Sequence, residues 1–224
     1  MRVLYYGDGP STNTGLGLVA RQILLGLHGR GHEVRSVAFN YDGCPHGLPF
    51  EVWPAWLHHD ADPLGRERLP KYVRRFPKVD VVVVHADPDD WGPDYAKPLV
   101  DAVHATGAAV VAYSPFDAPL LAKDAAILGL ADGVVVYHHA AVELAVAAGA
   151  DPSRVSTAGH GVDHEVYRPG SGPGARQFRG WVPGLGEDDF LLTTVAQNST
   201  RKQVATFLTI LRYLRTYDLG GRRA

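Results

Sequence analysis

Residues 131–157 leave few folds open. Val134-Val135-Val136-Tyr137 is too short for a helix and rich in β-branched residues, so it predicts a buried strand. Ala140, Val142, Leu144, Ala145, Val146 and Ala148 then predict a helix, closed at Gly149, a residue type that takes a left-handed C-terminal cap at no steric cost. Asp151-Pro152 turns the chain into a second strand over 154–157. Strand, helix and strand in that order make parallel partners joined by a right-handed crossover.

The same alternation runs through the chain upstream. A strand over 3–6 precedes a helix that opens at Gly15 and stops near Gly29 to Gly31, with Leu18, Val19, Ile23, Leu24 and Leu27 on one broad apolar face. His32-Glu33-Val34 begins the next strand, and 50–53 reads as a short edge strand within an irregular excursion over 41–63. Val79-Asp80-Val81-Val82-Val83-Val84 predicts a central strand covered on both faces, followed by a helix over 93–106 and a strand over 108–113. The class is therefore α/β, with a Rossmann-like doubly wound parallel sheet. Beyond it, Gly170-Ser171-Gly172-Pro173-Gly174 has linker composition, 189–196 reads as a new strand, and 201–217 as a helix with Val204, Phe207, Leu208, Leu211 and Leu214 on its apolar side. This divides the chain into a domain at 1–169, a linker at 170–188 and the start of a second domain at 189–224. One strand and one helix cannot bury their own faces, so that start must pack on the first domain, pair with another chain or stay poorly ordered.

A formal net charge of -2 with 46% hydrophobic residues gives no electrostatic case for nucleic acid. Cys44 is the only cysteine, which rules out an internal disulfide and a thiolate zinc cage and suits a reducing compartment, so cytoplasm is the expected location. No signal-peptide pattern opens the chain, and no apolar run approaches the ~18 residues of a membrane span. Membrane contact would be peripheral at most. The basic residues Arg66, Arg68, Lys71, Arg74 and Arg75 fit either a charged outer helix face or a surface for anionic membranes, with Pro70 limiting any helix before it to about one turn.

Several positions carry chemistry. Gly15 and Gly17 follow a polar loop at a helix start, where an anion can approach exposed N–H groups favoured by the helix dipole. Three readings stay open there: a phosphate-facing loop, a dinucleotide fingerprint, and close helix–strand packing. The fingerprint fits Gly15, Gly17 and Ala20, but the loop is too long and no acidic residue ends the second strand. His85, Asp87, Asp89 and Asp90 lie at the C-terminal end of the 79–84 strand, the edge where open α/β sheets bind ligands; the acids would serve equally as caps of the following helix. Asp117 follows the 108–113 strand and suits a hydrogen bond to a hydroxyl or a cap on a helix starting near Leu120. Neighbouring side chains diverge on helix or strand, so His58-His59-Asp60 makes a poor ligand set and no metal is expected.

Gly161-Val162-Asp163 followed by Pro169, with Ala131-Asp132, Glu143, Gly149 and Asp151-Pro152-Ser153-Arg154-Val155 before it, resembles the domain-junction segment of family 4 glycosyltransferases. Gly29-Arg30-Gly31-His32-Glu33-Val34 resembles the family's first β-α-β unit, and Ala196-Gln197-Asn198-Ser199-Thr200-Arg201-Lys202 the turn that opens its second domain, with Gln197 where the family places an arginine. The resemblance implies a GT-B fold, in which two Rossmann-like domains face each other across a cleft, with 1–169 as the N-terminal, acceptor-side domain and 189–224 as a truncated start of the C-terminal, donor-binding one. It implies transfer of a sugar from a nucleotide-diphosphate sugar to an acceptor hydroxyl with retention, and no cofactor or obligatory metal. Gly15 and Gly17 would admit the donor and acceptor, Arg201 and Lys202 would offset charge on the leaving diphosphate, and His85 and Asp117 would contact the sugar or acceptor. The histidine that many members carry just past the 108–113 strand is missing here, and Asp117 stands nearby. Two other classes stay open: a non-catalytic acceptor- or partner-binding domain completed by another chain or a second copy, and a dinucleotide-dependent enzyme using the Gly15 loop.

Overall fold

The structure is a computed structural model that describes residues 1–56, 62–76, 78–116, 118–167, 173–186, 189, 191–196 and 198–214. Seven strands form one parallel sheet: β1 (Arg2–Asp8), β2 (Glu33–Phe39), β3 (Glu51–Pro54), β4 (Val81–His85), β5 (Ala109–Ser114), β6 (Gly133–Val136) and β7 (Val155–Thr157), in the order β3-β2-β1-β4-β5-β6-β7. Helices α1 (Gly15–Gly29), α2 (Leu69–Arg75), α3 (Pro93–His104), α4 (Ala126–Leu130) and α5 (Ala140–Ala147) connect them. The α/β Rossmann-like class expected from the alternation is the one observed.

Period-2 alternation sorts β1 between two cores. Leu4 and Tyr6 join the cluster that includes Val82, Val84, Leu99, Val103 and Val110, whereas Val3 and Tyr5 join Ala20, Leu24 and Val34 under α1. Helix α1 buries Gly17, Ala20 and Leu24, and Leu18 is exposed, so the buried stripe is narrower than the apolar residues alone predict. Gly149 has φ 107° just after α5, the left-handed position expected of it, and the Asp151 carboxylate accepts from the Ser153 N–H to set the turn into β7. β3 is an edge strand as its Pro/Gly-rich surroundings suggest. Helix α4 starts at Ala126 rather than near Leu120: Leu120 packs against the core and Leu121 is exposed, but neither belongs to a helix.

The chain divides into two compact units, Met1–Gly161 and Val162–Ala224. The second contains α6 (Pro173–Gly180), within the stretch expected to be a linker, and α7 (Val204–Leu214). Arg176, Gln177 and Arg179 are good helix formers, which glycine-rich composition just upstream obscured. Residues 189 and 191–196, the described part of the strand expected over 189–196, belong to no strand: no described segment offers them a ladder partner. The predicted 201–217 helix is a 3₁₀ turn at Thr200–Lys202, a left-handed break at Gln203 (φ 54°) and then α7. None of the described helices is long and apolar enough to cross a membrane.

Candidate functional site

The sheet reverses its winding between β1 and β4, and in open α/β sheets the loops beyond the C-terminal strand ends diverge at that point to leave a crevice. Gly7 on β1 is in register with His85 on β4. A Cβ on Gly7 would lie 2.6 Å from the His85 carbonyl oxygen, so the two strands can close up only around a glycine.

The loop leaving β1 is held from both ends. The Asp8 carboxylate, almost buried, accepts from the Thr14 hydroxyl and, at 3.3 Å, from the Asn40 amide at the end of β2. Thr14 in turn accepts from the Gly17 N–H at 2.9 Å and so caps α1. The Thr12 hydroxyl donates to the Gly9 carbonyl (2.6 Å), Gly9 N–H donates to Phe39 O (3.0 Å), and Arg21 reaches back from α1 to donate to the carbonyls of Pro10 (2.6 Å) and Thr12 (3.3 Å). The two glycines then separate in role. A Cβ on Gly17 would lie 2.3 Å from Thr12 Oγ1 and 2.7 Å from Gly9 O, whereas one on Gly15 would meet nothing within 4 Å. Gly17 is required by packing; Gly15 keeps the first turn of α1 open on the solvent side.

Across the switch point, strand parity assembles an aromatic cluster. Tyr5 pairs with Val83 and Val83 with Val111, while Tyr113 pairs with Val135, so Tyr5, His85, Tyr113 and Tyr137 share one face of the sheet. The His85 ring is closed off from solvent and stacks on Tyr113 with centroids 4.8 Å apart. Its Nδ1 is hydrogen-bonded to the Tyr5 hydroxyl and its Nε2 to the Tyr137 hydroxyl at 2.5 Å. Burial, helped by the nearby His160, lowers its pKa to about 4, so the imidazole is neutral: one nitrogen donates to a tyrosine oxygen and the other accepts the second tyrosine's proton. Burial raises the pKa of Tyr5, Tyr113 and Tyr137, which therefore stay protonated. The cluster carries the turn after β7: Tyr113 donates to Ala158 O (3.1 Å), and the His160 ring lies 3.9 Å from that of Tyr137.

The remaining candidates are scattered. Pro88–Asp90 forms a 3₁₀ turn and α3 takes Gly92 as its N-cap residue, so none of the acids after β4 occupies the N-cap position itself. Arg66 donates to Asp90 O at 2.8 Å and lies over the Tyr95 ring, while burial raises the Asp90 pKa. Asp117, the His58-His59-Asp60 run and the Arg201 side chain lie outside the described residues, and Lys202 is exposed in the second unit. Among the described residues no three His, Cys, Asp or Glu side chains are grouped to hold a metal ion. On the other side of the β1–α1 loop, a groove of about 530 Å³ runs past Ser11, Asn40, Tyr41, Asp42, Cys44 and Trp56. Sequence reasoning placed Gly15, Gly17 and His85 at this edge but missed Asp8, Arg21, Tyr137 and His160. Equal parity at successive strand ends would have flagged Tyr113 and Tyr137; nothing local marks Arg21, whose partners lie on the preceding loop.

The family model described as Glycosyltransferase Family 4 matches residues 13–166. Among solved structures, the chain is similar to Anabaena Alr3699/HepE in complex with UDP, at 16% identity and a TM-score of 0.56, over 80% of this chain and 50% of that one. The same protein in complex with UDP-glucose gives 17% identity and a TM-score of 0.54, again over 80% of this chain and 50% of that one. At such identity the likeness shows the fold, and the chain spans about half the length of these structures. No curated protein matches the sequence.

Proposed function

The chain belongs to glycosyltransferase family 4, and from that membership we propose that it takes part in transferring a sugar from a nucleotide-diphosphate sugar to an acceptor hydroxyl, with retention at the anomeric carbon. The observation that carries this is the braced loop at the switch point, which leads into the family match at residue 13 and leaves open space beside Gly15 at the start of α1. Unpaired N–H groups at a helix start favour an anion, and a diphosphate is the anion such a donor brings. That a neighbour of the same fold is seen with UDP and with UDP-glucose supports a uridine-type donor.

In this proposal Arg201 and Lys202 offset charge as the diphosphate leaves, and the leaving phosphate takes the acceptor proton. Asp117 accepts a hydrogen bond from a sugar hydroxyl. His85, enclosed by three tyrosines, acts as a positioning residue that fixes Tyr137 and the turn carrying His160. Catalysis then rests on stabilising charge that develops in the transition state, with no metal. The unit at 1–161 supplies the acceptor side in this reading, and the chain spans about half the length of the UDP-bound neighbour.

Thermal-shift titration with UDP-glucose, GDP-mannose, NAD and NADP separates this from the dinucleotide reading: stabilisation by a nucleotide sugar and not by NAD(P) is expected. Stabilisation by NAD(P) alone would overturn the proposal, as would an inverted anomeric centre in the product of the active assembly, read by proton NMR. The described residues of α7 are none of them buried, which favours a complementary partner for the second unit. Light scattering and co-purification with a separately expressed C-terminal half test that reading.

A further inference from the structure

We infer that the outer face of α2 is a docking surface for an anionic lipid bilayer, engaged through Lys71, Arg74, Arg75 and Lys78. Their spacing is i, i+3, i+4 and i+7, so the three cations within α2 share one side of the helix, and all four residues are exposed. Leu69, Val73 and Phe76 take the other side and are buried in the same apolar cluster as Leu99 and Val103 of α3. Ala20 and Leu24 of α1 belong to the other cluster, so the patch and the Gly15 turn lie on opposite faces of the sheet. The two remaining basic residues of the stretch are bonded within the fold: Arg66 donates to Asp90 O (2.8 Å) and Arg68 to Ala55 O (2.7 Å).

Local requirements of the fold do not account for the four. A cation in the last turn of a helix complements its dipole, which covers Arg74 and Arg75, but Lys71 stands in the first turn, where the dipole disfavours it. Lys78 has φ 58°, a left-handed conformation that glycine or asparagine takes more readily. Residues 1–161 carry 13 Lys and Arg against 18 Asp and Glu, yet Asp80 is the only acid from 68 to 86, and its carboxylate accepts from the Arg2 N–H at 2.6 Å. Positive charge is thus gathered on one side of an acidic unit. The shape of the patch selects the partner. A nucleic acid would need rings to stack on and an acidic peptide a groove to lie in, but the aromatic residues of α2 are turned inward: Tyr72 donates to Pro54 O (3.1 Å), and Phe76 is 2% exposed. A ridge of cations along a helix fits an extended plane of lipid phosphates, and with its apolar residues buried it rests on the headgroups without inserting.

The full chain is sedimented with extruded vesicles of phosphatidylcholine alone, or of phosphatidylcholine with about 30% phosphatidylglycerol, at about 50 mM and about 500 mM NaCl. Binding is expected to the anionic vesicles at low salt and to neither at high salt, because each cation near the surface contributes about fivefold in affinity until it is screened. Arg74→Gln/Arg75→Gln should weaken binding about 25-fold, and Arg74→Lys/Arg75→Lys should retain it within about twofold. Arg30→Gln/Lys123→Gln removes the same charge from exposed sites elsewhere and should leave binding unchanged. Equal melting temperatures establish that the variants are folded. The bilayer assignment fails if low salt gives no binding, if neutral vesicles bind as well as anionic ones, or if Arg74→Gln/Arg75→Gln binds as tightly as the parent. It fails equally if the Arg30/Lys123 variant loses as much, or if a single-stranded RNA of mixed sequence binds more tightly than the anionic vesicles at the same salt.

Discussion

His85 is a titratable ring with both nitrogens committed and its surface closed off from solvent, so it couples the fold to pH. Protonation would turn both nitrogens into donors, and the one that accepts a tyrosine proton would lose that bond in a space where the charge is not solvated. Its pKa falls from 6.5 to about 4 in the folded protein, so between those values the unfolded chain binds the proton and the folded one does not. Stability is therefore complete above about pH 6.5 and is lost as pH falls towards 4, by up to about 3 kcal/mol at the ~1.4 kcal/mol that each pKa unit represents. Urea unfolding at pH 7.5 and pH 4.5 measures this. His85→Gln keeps a neutral donor and acceptor, and should cost about 1–2 kcal/mol at pH 7.5 for imperfect hydrogen-bond geometry while shrinking the acid-induced loss. An equal loss in the variant would place the titrating group elsewhere, with His160 the next to test because partial burial lowers its pKa too.

At the scale of elements, α1 and its loop separate a requirement of packing from one of access. Gly17→Ala drives a methyl into Thr12 Oγ1 and the Gly9 carbonyl, breaks the Thr14 cap and should destabilise by about 1–3 kcal/mol. Gly15→Ala meets open space in a helical residue and should stabilise by roughly 0.4–1 kcal/mol. The same methyl stands where a phosphate would approach, and nucleotide-sugar affinity should drop at least about tenfold, since a hydrogen bond to a charged group carries roughly 1.5–3 kcal/mol. Thermal melts and titration calorimetry on the two variants check the opposite signs; a Gly15→Ala protein that binds nucleotide sugar as tightly as the parent would move the donor away from this helix. The sheet was legible in the sequence because runs such as Val81-Val82-Val83-Val84 have one stable use, a strand covered on both faces. The Gly15 loop and His85 were legible for the same reason, since chain order fixes which ends of parallel strands share an edge. Side-chain partners across the sheet were not. Tyr5 and His85 are 80 residues apart in sequence, and only the register of β1 on β4 brings them together. Helix α6 was obscured by glycines just before it, and the described part of the strand expected over 189–196 has no neighbour to pair with, which no local pattern reports.

For the molecule as a whole, the distribution of buried surface decides what can fold alone. Among the described residues every strand, from Arg2 to Thr157, lies in the unit that ends at Gly161, and both apolar clusters are made of residues from that unit. Helix α7, by contrast, leaves Leu208 at 60% and Tyr213 at 64% exposure, and α6 is followed by Trp181 at 69%. A helix of that length is marginal in water unless tertiary packing buries one of its faces. A polypeptide of residues 1–161 should therefore unfold in one cooperative urea transition, with a midpoint close to that of the 224-residue chain, while 162–224 expressed alone should show little helix by circular dichroism. If the short polypeptide is instead molten, with retained far-UV and lost near-UV signal, the second unit is contributing to the packing of the first. That outcome would tie the stability of the acceptor side to the donor side, and binding of nucleotide sugar would then raise the unfolding midpoint of the whole chain and fail to raise that of 1–161.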